Sequence, residues 1–130
     1  LINPNKKVDK VQLRTWSSQH AFTTFTHQKT NYYVFVDNKR IEIYDEEFNS
    51  VMLYEDIQTK KPSIMVWENL LATYNEKSKE IVLVDLIARQ VVANDIKTDK
   101  NLFYIGQLKP YKKTCVVVSE KNKVIHYVLN

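Results

Sequence analysis

The residues of this chain that could do chemistry are few, and their spacing is poor for it. The histidines are His20, His27 and His126. A metal site needs ligands converging at defined spacings. His20 and His27 stand seven apart in a Thr-rich stretch, which matches no ligand pattern, so surface or half-buried histidines are the plainer reading. Neighbouring carboxylates occur at Asp45-Glu46-Glu47 and at Glu55-Asp56. Hydrolytic work needs two carboxyls facing across a cleft with their pKa values split. Acids adjacent in sequence at strand ends more often solvate turns and guard sheet edges. Ser17-Ser18 has no nucleophile-elbow context. The single cysteine, Cys115, allows no internal disulfide and no cysteine zinc site. Beside Val116 and Val117 it reads as a small buried hydrophobe, and a reducing compartment, cytoplasmic or nuclear, suits it. One glycine in 130 residues means that neither GxGxxG nor the Walker pattern can be written. The expectation is therefore a non-enzymatic chain with no catalytic residue, no metal and no cofactor.

Binding offers more. Lys109-Pro110-Tyr111-Lys112-Lys113 must be a loop, because Pro110 interrupts any ladder. Lys109, Lys112 and Lys113 around Tyr111 could contact phosphate or an acidic partner. Lys60-Lys61-Pro62 is a second such loop, and Lys6, Lys7 and Lys10 add charge near the start. The net charge of +4 permits attraction to nucleic acid or an anionic surface without requiring it. The plainer reading is solvated turn lysines. There are eight Tyr, five Phe and two Trp. Tyr32, Tyr33, Phe35 and Tyr44 gather on one hairpin, and Phe103, Tyr104, Tyr111 and Tyr127 on another. Such aromatics serve as interface anchors or stacking platforms, though in β-proteins they are more often core and cross-strand pairs.

The elements that must position these residues are strands. Val11–Trp16, Ala21–Thr26, Tyr32–Val36, Arg40–Tyr44 and Val51–Tyr54 are alternating or β-branched runs. Ser63–Trp67, Leu70–Tyr74, Glu80–Val84 and Gln90–Ala93 follow, then Leu102–Ile105, Thr114–Ser119 and Val124–Leu129. Helical spacing can be forced onto Glu68–Glu76, but the repeat described next assigns a strand there. Asn38-Lys39, Asn75-Glu76 and Asn122-Lys123 lie between runs, where asparagine is expected to supply the positive φ that glycine would otherwise give.

The runs recur. Arg40-Ile41-Glu42-Ile43-Tyr44-Asp45 aligns with Glu80-Ile81-Val82-Leu83-Val84-Asp85 at a spacing of 40, and Lys123–Val128 follows after 43 more. Val51-Met52 to Val91-Val92 and Phe25 to Met65 are also 40 apart. Units of this period bury their faces against neighbouring units. Two complete four-stranded units fall near 21–56 and 61–97. A third, at 100–129, lacks its last strand. Val11–Trp16 is left over, either as the last strand of a preceding unit or as the strand completing the third. The first residues, Leu-Ile-Asn-Pro-Asn-Lys-Lys, carry no secretory pattern. The start at Leu reads as a piece of something longer. The longest apolar runs are far too short to span a bilayer.

On the strand-ending Asp45 and Asp85 and this period, the chain resembles the WD40-like β-propeller superfamily over about residues 21–129. It departs from that pattern in having no Gly-His opening and no Trp-Asp closing a blade. The resemblance implies an all-β partial propeller of about three blades, acting as a scaffold that binds peptides or partner domains. Three blades cannot close a ring, so the partner would be another protein chain or missing blades of the same protein. Its edges at Val11, Leu13, Val124, Ile125 and Tyr127 are the expected sites of strand pairing. The competing expectation is a small closed β-barrel or β-sandwich that binds nucleic acid or anionic lipid through Lys109, Tyr111, Lys112 and Lys113.

Overall fold

The computed structural model describes residues 19–99, 103–110, 112–120 and 122–129. They form an all-β structure of eleven strands. The first sheet contains β1 (His20–His27), β2 (Thr30–Asp37), β3 (Ile41–Tyr44) and β4 (Ser50–Tyr54). The second contains β5 (Met65–Trp67), β6 (Leu70–Asn75), β7 (Glu80–Asp85) and β8 (Gln90–Lys97). The third contains β9 (Phe103–Leu108), β10 (Lys113–Glu120) and β11 (Lys123–Val128). Each is an antiparallel meander in chain order, with four, four and three strands. Glu68–Glu76 holds a turn and β6, so tertiary pairing decides a stretch whose periodicity was ambiguous.

The sheets pack face to face, and the second lies between the other two. Leu71, Val82 and Val84 of the second sheet share a core with Val34, Val36, Ile41 and Ile43 of the first. Ala72, Tyr74, Ile81, Leu83 and Ile96 share another with Ile105, Val116 and Val118 of the third. Successive residues of a strand point to opposite faces. β7 therefore sends Ile81 and Leu83 one way and Val82 and Val84 the other, and all four are buried. A strand buried on both faces loses its alternation and reads as a continuous apolar run. That is why Ile81-Val82-Leu83-Val84 is unbroken, whereas β1 alternates strictly between exposed and half-buried residues.

The turns are held by aspartates. Asp85 Oδ1 accepts from the backbone N–H of Ile87 (2.9 Å) and Ala88 (3.0 Å) and from Asn69 Nδ2 (3.1 Å). Asp45 Oδ1 accepts from the N–H of Glu47 and Asn49, both at 2.9 Å, and Asp37 Oδ1 from those of Lys39 and Arg40. Short acidic side chains of this kind close turns on their own backbone. The recurring Asp at positions 45 and 85 is thus a turn device.

Asn38 and Asn75 do not take the positive φ expected of them, which among the described residues falls elsewhere. It occurs at Gln28, Lys29, Phe48, Glu68, Lys79, Arg89 and Lys112. Asn38 and Asn75 instead use their amides to tie down the 55–64 connection. Asn38 Nδ2 donates to the Thr59 carbonyl at 2.9 Å, and Asn75 Oδ1 accepts from the Gln58 N–H at 3.0 Å. This connection continues the fourth strand. Ile57 and Thr59 are buried, and the same pattern returns 39 residues later at Ile96 and Thr98. The Thr59 N–H donates to the Asn38 carbonyl and the Thr98 N–H to that of Lys79, both at 2.9 Å.

Candidate interaction surfaces

No cluster of three or more His, Cys, Asp or Glu able to hold a metal occurs among the described residues. His20 and His126 are exposed, and His27 is half-buried. The carboxylates are committed to turns or face solvent: Asp45 caps its own turn, Glu46 Oε1 accepts from the Asn31 N–H at 2.6 Å, and Glu55 and Asp56 are exposed. Cys115 is fully buried, with Sγ donating to the Lys113 carbonyl at 3.4 Å. Burial pushes the Asp85 carboxyl up, but the hydrogen bonds from Ala88, Asn69 and Ile87 outweigh it and hold it below its ordinary value. Burial pushes the Tyr74 hydroxyl up, and the charges of Asp99 and Glu76 add to that. It donates to the Thr98 carbonyl at 2.8 Å. Asp85 and Tyr74 thus both serve structural hydrogen bonds.

A polar cleft of about 290 Å³ opens where the 55–64 connection meets the turn ends of the first two sheets. It is lined by Lys39, Glu55, Asp56, Gln58, Asn75 and Lys77. Its charges are mixed, and the Asn75 amide is engaged by the connection itself. It anchors the loop and has no paired acid and base.

Lys109, Lys112 and Lys113 lie together at the turn between β9 and β10, all exposed, and Lys112 takes the positive φ that the turn requires. Tyr111 lies outside the described residues. The aromatics divide as the pleat dictates. Tyr32 packs into the core between the first two sheets. Phe35 and Tyr44 lie on the opposite face, edge to face at 5.8 Å, with Phe22 4.9 Å from Phe35. Phe103 and Tyr127 pack toward the second sheet, while Tyr104 lies on the outer face of the third, 52% exposed. The sole glycine, Gly106, sits beneath the Tyr104 ring, in space that a Cβ would need. Tyr104, Val117 and Ser119 line a shallow cleft of about 390 Å³ on that face with Phe103.

The strand edge of the third sheet is the most distinctive feature. β11 is its last strand, and among the described residues nothing pairs with its far side. The Leu129 N–H donates to the Thr114 carbonyl at 2.9 Å, and Cys115 stands opposite Val128. Hydrogen-bonded and non-hydrogen-bonded pairs alternate in an antiparallel ladder, so Val124, His126 and Val128 turn their backbone groups to the far side of the strand. The side chain of Val124 is 59% exposed. Ile125 and Tyr127 are half-buried, and the Tyr127 hydroxyl donates to the Lys97 carbonyl at 3.2 Å. Val11 and Leu13 lie outside the described residues.

This edge differs from the β4 and β8 edges of the other two sheets, although the β1 edge also pairs without a shift. The β3–β4 pairing shifts register between Ile43 and Tyr44, and the β7–β8 pairing shifts on either side of Leu83. Such irregularities bend an edge and blunt its pairing. The β10–β11 ladder runs through six pairs without a shift. Sequence reasoning found these strands but had no signal for the difference, since a bulge here leaves no Gly or Pro. No protein-family model, no curated protein and no solved structure matches the chain. No helix among the described residues is long and apolar enough to cross a membrane.

Proposed function

We propose that this protein is a non-enzymatic interaction module, a partial WD40-like propeller whose third blade takes a strand from another protein. What supports this reading is the regular β10–β11 ladder, with no strand beyond β11 among the described residues, at the place where the first two sheets have a fourth strand. Backbone groups at Val124 and Val128 supply the hydrogen bonds, and the adjoining core between the second and third sheets supplies the apolar contact. The incoming segment is extended and alternates apolar and polar residues. β8 fills this place in the second sheet, with Val91 packed toward the first sheet and Ala93 and Ile96 toward the third.

A synthetic peptide with the β8 sequence, Gln90–Lys97, serves as the probe for the full chain. Binding should map to β11 by amide chemical shifts, change little from low to high salt, and disappear in Val128→Pro. That substitution removes an outward donor and leaves the inward ladder intact. Binding of an oligonucleotide through Lys109, Lys112 and Lys113, falling steeply with salt and with no peptide bound at β11, would replace this reading with the barrel-like, anion-binding one.

A further inference from the structure

The net charge of this chain is carried by the segment that builds its third sheet. Residues 103–129 hold five lysines and one glutamate. The whole chain has 19 basic and 15 acidic residues, so outside this segment the two are balanced at 14 each. Lys109, Lys112 and Lys113, all exposed, stand at the β9–β10 turn. Like charge gathered on one element is the electrostatic footprint of a polyanion site.

The same sheet has an aromatic platform. Ile105, Val116 and Val118 pack against the second sheet, so Tyr104, Gly106 and Val117 face the other way. Gly106 is the one glycine of the chain. Its φ is not positive, so its backbone conformation does not require glycine. The Tyr104 ring does. A Cβ at position 106 would stand 2.7 Å from Tyr104 Cζ and 2.8 Å from its Cε1, closer than carbon atoms pack. The ring therefore lies down along its own strand, over Gly106, instead of standing up from the sheet. It is still 52% exposed, and Val117 stands opposite it in the ladder. Both line the cleft of about 390 Å³ with Phe103 and Ser119. A ring over a glycine also steadies an edge strand, but that role needs neither an exposed ring nor neighbouring charge.

We infer that the outer face of the third sheet binds single-stranded nucleic acid, with a base stacked on Tyr104 and neighbouring phosphates on Lys109 and Lys112. Every base has a π-face, so one exposed ring accepts any of them, and a lysine meets a phosphate as a point charge. From residue 104 to residue 108 the strand rises ~13 Å, a span that a few nucleotides cover. A duplex keeps its bases within the stack and cannot use the ring. The site is a face of the sheet and leaves the β11 edge to an incoming strand, so it does not rest on the strand-addition reading.

The test is fluorescence anisotropy of a labelled oligothymidylate of about 12 nucleotides with the full chain. Tyr104→Leu should weaken binding about tenfold, and Tyr104→Phe, which keeps the ring, by less than about twofold. Lys112→Gln should lower the slope of log affinity against log salt by about 0.7. Equal binding by Tyr104→Leu and the parent, or a duplex bound as tightly as the single strand, would overturn the stacking. Binding to phosphatidylserine vesicles with none to the oligonucleotide would overturn the site. If Tyr104→Leu does not fold, amide chemical shifts of the parent decide. Changes at Tyr104, Gly106, Val117 and Ser119 on adding oligothymidylate support the face, and changes confined to the other sheets sink it. Oligothymidylate bound while the β8-sequence peptide occupies β11 supports this site and the strand-addition reading together; peptide bound with no oligonucleotide keeps that reading and removes this one.

Discussion

The second and third sheets are built from the same repeating strands, yet they live under different constraints. The second is covered on both faces, and its β7 buries four residues in succession. Among the described residues the third is covered on one face only and has three strands, with Tyr104 and Val124 more than half exposed. The lesson is that position in the stack sets what each strand contributes. An interior sheet supplies stability, because each residue of its central strands removes apolar surface from water. In the third sheet more of the apolar surface of the described residues stays in contact with water.

The comparison can be broken most sharply by truncation. Leu83→Ala in the second sheet should cost about 3 kcal/mol by urea denaturation, from lost burial and the cavity left behind. Val124→Ala at the third sheet's edge should cost under ~0.5 kcal/mol. Comparable losses at the two sites would mean that the third sheet is as fully packed as the second.

The turn aspartates sharpen it next. Asp85→Ala should cost about 2 kcal/mol, since three donors lose a charged acceptor. The folded-state pKa of Asp85 lies below its ordinary value of 3.8. The stability it contributes is therefore complete above the unfolded value and is lost as pH falls through the lower folded one. Asp85→Asn should flatten that part of the acid-unfolding curve, and an unchanged curve would show that Asp85 does not drive it.

A smaller effect of opposite sign is expected at the β1–β2 hairpin. Gln28 and Lys29 both take positive φ in a two-residue loop between His27 and Thr30, the pattern that favours Asn-Gly. Replacing Gln28-Lys29 by Asn-Gly should raise stability by about 1 kcal/mol, measured as a higher urea midpoint. A further small effect is expected of Tyr127→Phe, which removes the hydroxyl contact between β11 and the Lys97 carbonyl. Its half-buried position should limit the loss to ~0.5 kcal/mol, while hydrogen exchange in β11 quickens relative to β6 and β7.

Much of this arrangement was legible beforehand, and the misses have physical causes. Strands such as Tyr32–Val36 and Glu80–Val84 announce themselves through β-branched and aromatic residues, and the structure extends the first to Thr30–Asp37. The asparagines misled because the same side chain can either relax a positive φ or clamp a passing loop, and only the neighbour's backbone decides which. Ile57 and Thr59 were passed over because a short polar connection gives no periodicity. Their match to Ile96 and Thr98 makes sense only once both pairs are seen sealing the ends of sheets. Of the candidate surfaces, the lysine turn and β11 were legible as positions. Which of β4, β8 and β11 offers a regular edge was not.

The sequence by itself determined the all-β class, the antiparallel order and the spacing of the repeat, because these follow from local alternation and turn chemistry within a few residues. The tertiary structure alone decided which sheet lies inside the stack and which of β4, β8 and β11 pairs without a register shift. Those outcomes depend on contacts between residues far apart in the chain, where the burial of one strand is set by what happens to lie on the far side of its neighbour.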